Sequence, residues 1–166
     1  MTELADVLLT PPTPAKPRLA LFGRFVGSWD LDVTWYADGI PNRTATGEWH
    51  FGYVLGGHAI QDVWIVPTRA ELAAGRPLYE YGSTIRFPEP GSDDWRSTWH
   101  GPVRGLVIPF LARAVGDEIV LEGRDAAGAA LRWVFSAITR DSFRWRNLKK
   151  NRDAWVLEQD FAARRR

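Results

Sequence analysis

The stretch Trp29-Asp30-Leu31-Asp32-Val33-Thr34-Trp35 alternates apolar and polar residues throughout. Successive side chains of a β-strand point to opposite faces, so this pattern predicts a strand with one apolar and one polar face. The alternation recurs in residues 95–99 and 133–135, where aromatic residues again take alternate positions. The chain has nine tryptophans in 166 residues. We therefore predict a β-sheet with one face lined by large flat rings.

Turn signals divide the chain after Gly27 into about ten segments of strand length. No helical pattern separates them, so consecutive strands are expected to pair antiparallel. An open sheet of this size would leave exposed edges, and closure into an all-β, roughly ten-stranded up-and-down β-barrel removes them. A β-sandwich is the competing architecture. Pro109 requires an edge, a bulge or a break in the sixth strand. The predicted strands cover residues 29–36, 43–55, 58–66, 78–87, 95–100, part of 106–115, 118–124, 131–138, 142–148 and 154–162.

The N-terminal residues differ in composition from the rest. Residues 1–17 contain four prolines and predict a flexible arm, followed by a single barrel domain over residues 18–166. Apolar residues at spacings of three and four between Leu19 and Val26 predict one or two helical turns, which Gly27 ends. A short helix just before the first strand favours the barrel, because it can cap one open end.

Composition excludes several classes of function. The formal net charge is +1. The chain has no cysteine, which excludes disulfides and thiolate metal sites and fits a cytoplasmic protein. We expect no membrane partner, because the longest apolar stretch is too short to span a bilayer. We also expect no nucleic-acid partner: Arg144-Trp145-Arg146 mixes basic and aromatic residues, but the net charge is near zero. The sequence leaves open whether the protein forms a homodimer.

Specific sequence strings carry a family resemblance. Gly27-Ser28-Trp29, directly after a short helix, resembles the Gly-x-Trp opening of the calycin superfamily, which includes lipocalins and fatty-acid-binding proteins. Together with residues 47–65, 81–87, 93–102, 141–147 and 162–165, it resembles a family of bacterial lipocalin-like proteins of unknown function. The resemblance implies a barrel with an internal cavity and no single activity. It also implies a cation–π contact of Arg164 or Arg165 with Trp29. Residues 148–153 depart from the Gly-containing turn of that family.

The candidate chemical groups are few. The histidines His50, His58 and His100 lack the spacing of a metal site, so we predict no metal. Haem-binding barrels of this superfamily use a late histidine and none follows His100, so we expect no cofactor. Asp62 lies in an apolar strand, where it is either a structural hydrogen-bond acceptor or, with His100, a candidate acid/base.

Strand parity predicts the cavity wall. It places Asp62 and Trp64 on one face with His58, and Tyr81 and Ser83 together on a face of the next strand. We predict binding of a small hydrophobic or aromatic molecule in an aromatic-lined cavity. An isomerase, cyclase or hydratase in the same cavity is the alternative, and a solid core with a structural role is a third possibility. The predicted ligand-binding residues are His58, Asp62, Trp64, Tyr81, Ser83, Arg86, Trp99, Trp133 and Trp145.

Overall fold

Ten antiparallel strands close on themselves and form the barrel that the sequence predicts. The computed structural model describes residues 3–9 and 16–166. Each strand pairs with its neighbours in sequence, and β1 pairs with β10, so the architecture is a barrel and not the competing sandwich. The strands are β1 (Gly27–Ala37), β2 (Ile40–Val54), β3 (Ala59–Val66), β4 (Glu80–Pro88), β5 (Trp95–Gly101), β6 (Leu106–Val115), β7 (Glu118–Arg124), β8 (Ala130–Ser136), β9 (Ser142–Asn151) and β10 (Ala154–Arg165).

The first strand has the two faces expected from its sequence. Trp29, Leu31 and Val33 are at most 1% exposed, while Asp30 and Asp32 lie on the outer face. The predicted cation–π contact is confirmed for Arg165, whose guanidinium carbon lies 4.1 Å from the centre of the Trp29 ring. This alternation therefore places Trp29 inside the barrel and the two carboxylates of β1 in contact with solvent.

Two short helical segments close one end of the barrel. A 3-10 helix (Pro17–Leu19) runs directly into α2 (Ala20–Gly23), which is shorter than the predicted helical segment. The side chains of Leu19, Phe22 and Phe25 are at most 2% exposed and enter the barrel. The indole N–H of Trp29 donates to the carbonyl of Phe25 at 2.7 Å. This end is filled by phenylalanine rings, so an internal space can exist only toward the opposite end.

The remaining helices lie where loops or the arm were expected. Helix α3 (Arg69–Ala73) interrupts the predicted polar loop after β3, and it begins with a capping box formed by Thr68 and Glu71. Helix α1 (Glu3–Leu8) lies within the predicted arm, and the N–H of Leu55 donates to the Leu8 carbonyl at 3.1 Å. The arm residues 1–2 and 10–15 lie outside the described part of the chain.

The last hairpin forms without the glycine turn of the resembling family. Its two-residue turn is Arg152-Asp153, and Arg152 adopts a positive φ of 54°. Beyond the turn, β10 continues to Arg165 and pairs with β1 along its second half. The final strand therefore closes the barrel despite the departure in the turn.

Candidate functional site

A cavity of about 600 Å³ occupies the end of the barrel opposite the helical cap. Six aromatic residues and several aliphatic ones line it, and four polar residues interrupt this apolar wall. Charged side chains lie around its opening. The aromatic residues are Trp49, Trp64, Trp99, Trp133, Trp145 and Phe161; the polar ones are Glu80, Thr84, Asn147 and Gln159; the charged ones are Arg104, Asp125, Lys149 and Glu158.

The aromatic wall is held by ring-to-ring contacts. Phe161 stacks between Trp64 and Trp145, with centroid distances of 5.2 and 4.3 Å. Trp133 meets Trp145 edge to face at 5.1 Å, and its indole N–H donates to Asn147 at 3.0 Å. Trp99 approaches the ring of Trp64 at 5.8 Å. Rings that fix one another in this way present a rigid apolar surface to a guest.

The opening of the cavity lies at a gap between strands. Strand β6 pairs with β5 along Leu106–Ala112, but its pairing with β7 starts only at Phe110. Its first residues therefore form a local edge, and Pro109 lies there because an edge position needs no N–H donor. Of the edge, bulge or break expected at Pro109, the structure shows the edge. Residues 105–108 and 125–127 line the cavity on the two sides of this gap.

Two of the four charged residues at the opening pair with each other. Lys149 and Asp125 form an ion pair at 2.6 Å. The Arg104 guanidinium donates to the Tyr79 hydroxyl at 2.8 Å. Glu158 has no register partner on β9, because a bulge separates Leu157 from Gln159, and this irregularity directs the Glu158 side chain to the cavity. The opening thus combines both signs of charge.

Several buried polar atoms near the cavity have no partner in the described residues. They are the indole nitrogens of Trp64 and Trp145, the amide nitrogen of Gln159 and the Oε2 atom of Glu80. Buried polar groups are nearly always hydrogen-bonded in native proteins, so these atoms mark where the cavity wall can form hydrogen bonds with its contents. Glu80 and Gln159 were not predicted as site residues, because apolar alternation carries no signal for inward-facing polar side chains.

The structure corrects the predicted face of β4. Tyr81 is 43% exposed and Ser83 is half-buried on the outer face, whereas Glu80, Thr84 and Arg86 are 1% exposed and point inward. The prediction assigned the apolar face to the interior. It is wrong here because the inward polar side chains find partners inside the barrel, while the Ser83 hydroxyl donates to the Asp62 carbonyl at 2.6 Å.

Two predicted histidines also lie outside the cavity. His58 is exposed in the turn between β2 and β3, with its Nε2 atom 3.1 Å from the ammonium of Lys16. His100 is exposed on the outer face of β5, because Trp99 takes the inward position of that strand. His58 was predicted to bind the ligand and His100 to act as an acid/base in the cavity, but neither residue lines it. Four predicted residues, Trp64, Trp99, Trp133 and Trp145, do meet at the cavity wall.

Asp62 and Arg86 form a fully buried ion pair beneath the helical cap. Burial raises the pKa of Asp62 and the nearby Arg86 charge opposes that rise, while burial lowers the pKa of Arg86. The indole of Trp49 approaches the carboxylate and acts to lower its pKa, although its N–H makes no hydrogen bond of normal geometry. The Arg86 guanidinium also lies 4.6 Å from the Phe22 ring centre. Neither Asp62 nor Arg86 lines the cavity, so the geometry matches the structural interpretation of Asp62.

A polar network on the outer surface was not anticipated from the sequence. The hydroxyl of Ser28 lies 2.9 Å from Nδ1 of His50, whose Nε2 lies 3.0 Å from a carboxylate oxygen of Glu48. Arg69 donates to Glu48 through its backbone N–H and its guanidinium, and Arg166 pairs with the same carboxylate at 3.2 Å. The network therefore ties helix α3 and the C-terminus to β2.

Replacing Glu48 with glutamine should remove a pH-dependent part of the stability. Burial alone would raise the pKa of Glu48, but the hydrogen bonds from Arg69 and His50 lower it from 4.5 to about 2. A depressed pKa stabilises the fold above the unfolded value of 4.5, and that stabilisation is lost as the pH falls toward 2. We expect Glu48→Gln to lose roughly 3 kcal/mol of unfolding free energy at neutral pH.

Urea unfolding at a series of pH values measures this loss. The difference in unfolding free energy between wild type and Glu48→Gln should shrink steadily as the pH falls below the pKa of Glu48 in the unfolded chain. Glu122→Gln is the control, because Glu122 is exposed and its ion pair with Arg132 lies on the surface. A constant gap across the pH series would contradict the assignment of the effect to ionised Glu48.

Within the described residues, no group of three or more histidine, cysteine, aspartate or glutamate side chains is placed to hold a metal ion. In the same part of the chain, none of the helices has the length and apolar character needed to cross a bilayer.

Comparison with solved structures shows that this barrel resembles several known ones. It is similar to Rv2717c from M. tuberculosis, with a TM-score of 0.65, 16% identity and coverage of 92% of this chain and 99% of that one. It is also similar to the S-type phycobiliprotein lyase CPES from Guillardia theta, with a TM-score of 0.60, 13% identity and coverage of 89% and 90%. No family model and no curated protein matches the sequence. These likenesses concern the fold, a closed antiparallel barrel of ten strands.

Proposed function

We propose that this protein binds a small hydrophobic or aromatic molecule inside the barrel. The observation that supports this most is the cavity of about 600 Å³ walled by six aromatic rings. Binding sites for small molecules are concave, mostly apolar and supplied with a few polar groups, and this cavity has each of those properties. Membership of the bacterial lipocalin-like family is part of the same proposal, as is the absence of a cofactor.

Burial of apolar surface provides the driving force. A ligand that buries about 200 Å² of apolar area would gain roughly 5 kcal/mol at 25 cal/mol per Å². The rings are already fixed by their mutual contacts, so little side-chain ordering opposes binding. The helical cap and the cavity occupy opposite ends of the barrel, so a ligand can enter while the cap stays folded.

A neutral hydrophobic dye, Nile red, tests the proposal. We expect its emission to increase and shift to the blue on binding to the wild type. Leu131 lines the cavity and is 5% exposed, so Leu131→Trp should fill part of the space and weaken dye binding by about tenfold or more.

Val115→Trp is the matched control, because Val115 is 51% exposed and lies at the far end of β6. It adds the same side chain without entering the cavity and should leave dye affinity unchanged. Equal affinity in wild type and Leu131→Trp would place the dye elsewhere, and no dye binding to the wild type would count against the proposed function.

A further inference from the structure

Glu80 is a buried carboxylate whose charge is not paired. It is 1% exposed, and none of the ion pairs among the described residues includes it. Its Oε1 atom accepts hydrogen bonds from the N–H groups of Tyr81 and Val103, at 3.0 and 3.2 Å. Its Oε2 atom accepts none. Burial of a carboxylate oxygen without a donor is costly, so this position favours a ligand that supplies one.

The Glu80 carboxylate and the Trp99 indole meet at one point of the cavity wall. A Cβ atom added at Gly101 would lie 2.7 Å from Oε2 of Glu80 and 2.8 Å from Nε1 of Trp99. A side chain at Gly82 would likewise overlap the Trp99 ring. Because these two glycines have no side chain, the Glu80 carboxylate and the Trp99 indole both fit beside them in the cavity lining.

The other cavity charges do not compensate Glu80. Asp125 pairs with Lys149, and Glu158 acts on the same lysine. Arg104 is exposed at the opening, where it donates to the hydroxyl of Tyr79 and lies 5.1 Å from that ring's centre. Glu80 therefore has no cationic partner among the described residues that line the cavity.

We propose that the ligand is an organic cation: an apolar or aromatic body with a protonated amine whose N–H groups donate to Oε2 of Glu80. This inference rests on the binding function proposed above and narrows its ligand class. A charge-assisted hydrogen bond supplies the missing donor, and the aromatic wall holds the apolar body. A fatty acid or another anion would place like charges together at Glu80.

Three naphthalene compounds with one ring system and different charge test this inference: 1-naphthylmethylamine, 1-naphthylmethanol and 1-naphthylacetate. Their affinities are measured by calorimetry at neutral pH. We expect the amine to bind the wild type about tenfold tighter than the alcohol, and the carboxylate to bind weakest. Glu80→Gln keeps an oxygen for the N–H groups of Tyr81 and Val103 but removes the charge. It should bring the amine down to the affinity of the alcohol.

Glu122→Gln is the matched control, because it removes the same charge from the exposed outer face of β7. It should preserve the preference for the amine. Equal binding of amine and alcohol to the wild type, or tightest binding of the carboxylate, would overturn the inference while Nile red binding keeps the cavity function. Binding of none of the three compounds also overturns it, and loss of Nile red binding as well removes the proposed function. If Glu80→Gln does not fold, the charge series on the wild type still decides.

Discussion

Replacing Arg86 with methionine should destabilise the barrel by about 3–5 kcal/mol, because the change leaves the Asp62 carboxylate buried without its cation. Both residues are 1% exposed, so both charged groups are shielded from solvent. The neutral form of Asp62 would be favoured in the variant, since burial already raises its pKa. Methionine is apolar and flexible, and it fills part of the space that the longer arginine side chain occupies.

Urea unfolding of Arg86→Met, Asp62→Leu and the double variant separates the contributions. The double variant should recover much of the lost stability, because two apolar residues replace a pair whose burial is costly. Arg96→Met is the control: Arg96 is 60% exposed in its pair with Glu89 and should change stability by less than about 1 kcal/mol. An Arg86→Met variant as stable as this control would refute a structural role for the pair.

The barrel is predictable from the sequence because its signal is local. Alternation in β1, the turn dipeptides and the edge at Pro109 are each encoded within a few residues. The contact between Arg165 and Trp29 follows from the family resemblance and is confirmed by the register of β1 with β10. Features that depend on one strand and its own turns can therefore be inferred from the residues alone.

The face of β4 could not be predicted in this way. Its apolar side chains, Tyr81 and Phe87, are each 43% exposed, and its inward positions carry charge. Those charges are tolerated through contacts made across the barrel: Arg86 with Asp62, and Glu80 with the N–H of Val103. Alternation gives the two faces of a strand, but only tertiary contacts decide which face is inside.

The candidate site depends on similarly distant contacts. The four predicted tryptophans of the wall follow from aromatic alternation, yet Gln159 and Glu158 take their positions from a bulge that no turn residue signals. Glu80 can be identified as a candidate only in the folded structure, where its Oε2 atom is buried without a hydrogen-bond partner. The Ser28–His50–Glu48 network joins residues on two strands and a helix in the same way.

Replacing Phe22 with alanine should cost about 3–5 kcal/mol, because the variant empties the centre of the barrel cap. Phe22 is 0% exposed, and its ring centre lies 5.0 Å from that of Trp95 and 5.9 Å from that of Phe135. The same ring covers the guanidinium of Arg86. Combining Phe22→Ala with Arg86→Met in a double-mutant cycle should therefore give a coupling energy of about 0.5–3 kcal/mol.

Phe87→Ala provides the matched control, since this phenylalanine is 43% exposed on the outer face of β4 and should lose far less stability. The Phe22 variant also separates the two ends of the barrel. Phe22 does not line the cavity, so Phe22→Ala should bind Nile red with wild-type affinity at temperatures where it stays folded. Loss of dye binding by a folded Phe22→Ala protein would mean that the cap shapes the cavity. An unchanged affinity with a large loss of stability would mean that the capped end stabilises the barrel and the opposite end binds the ligand.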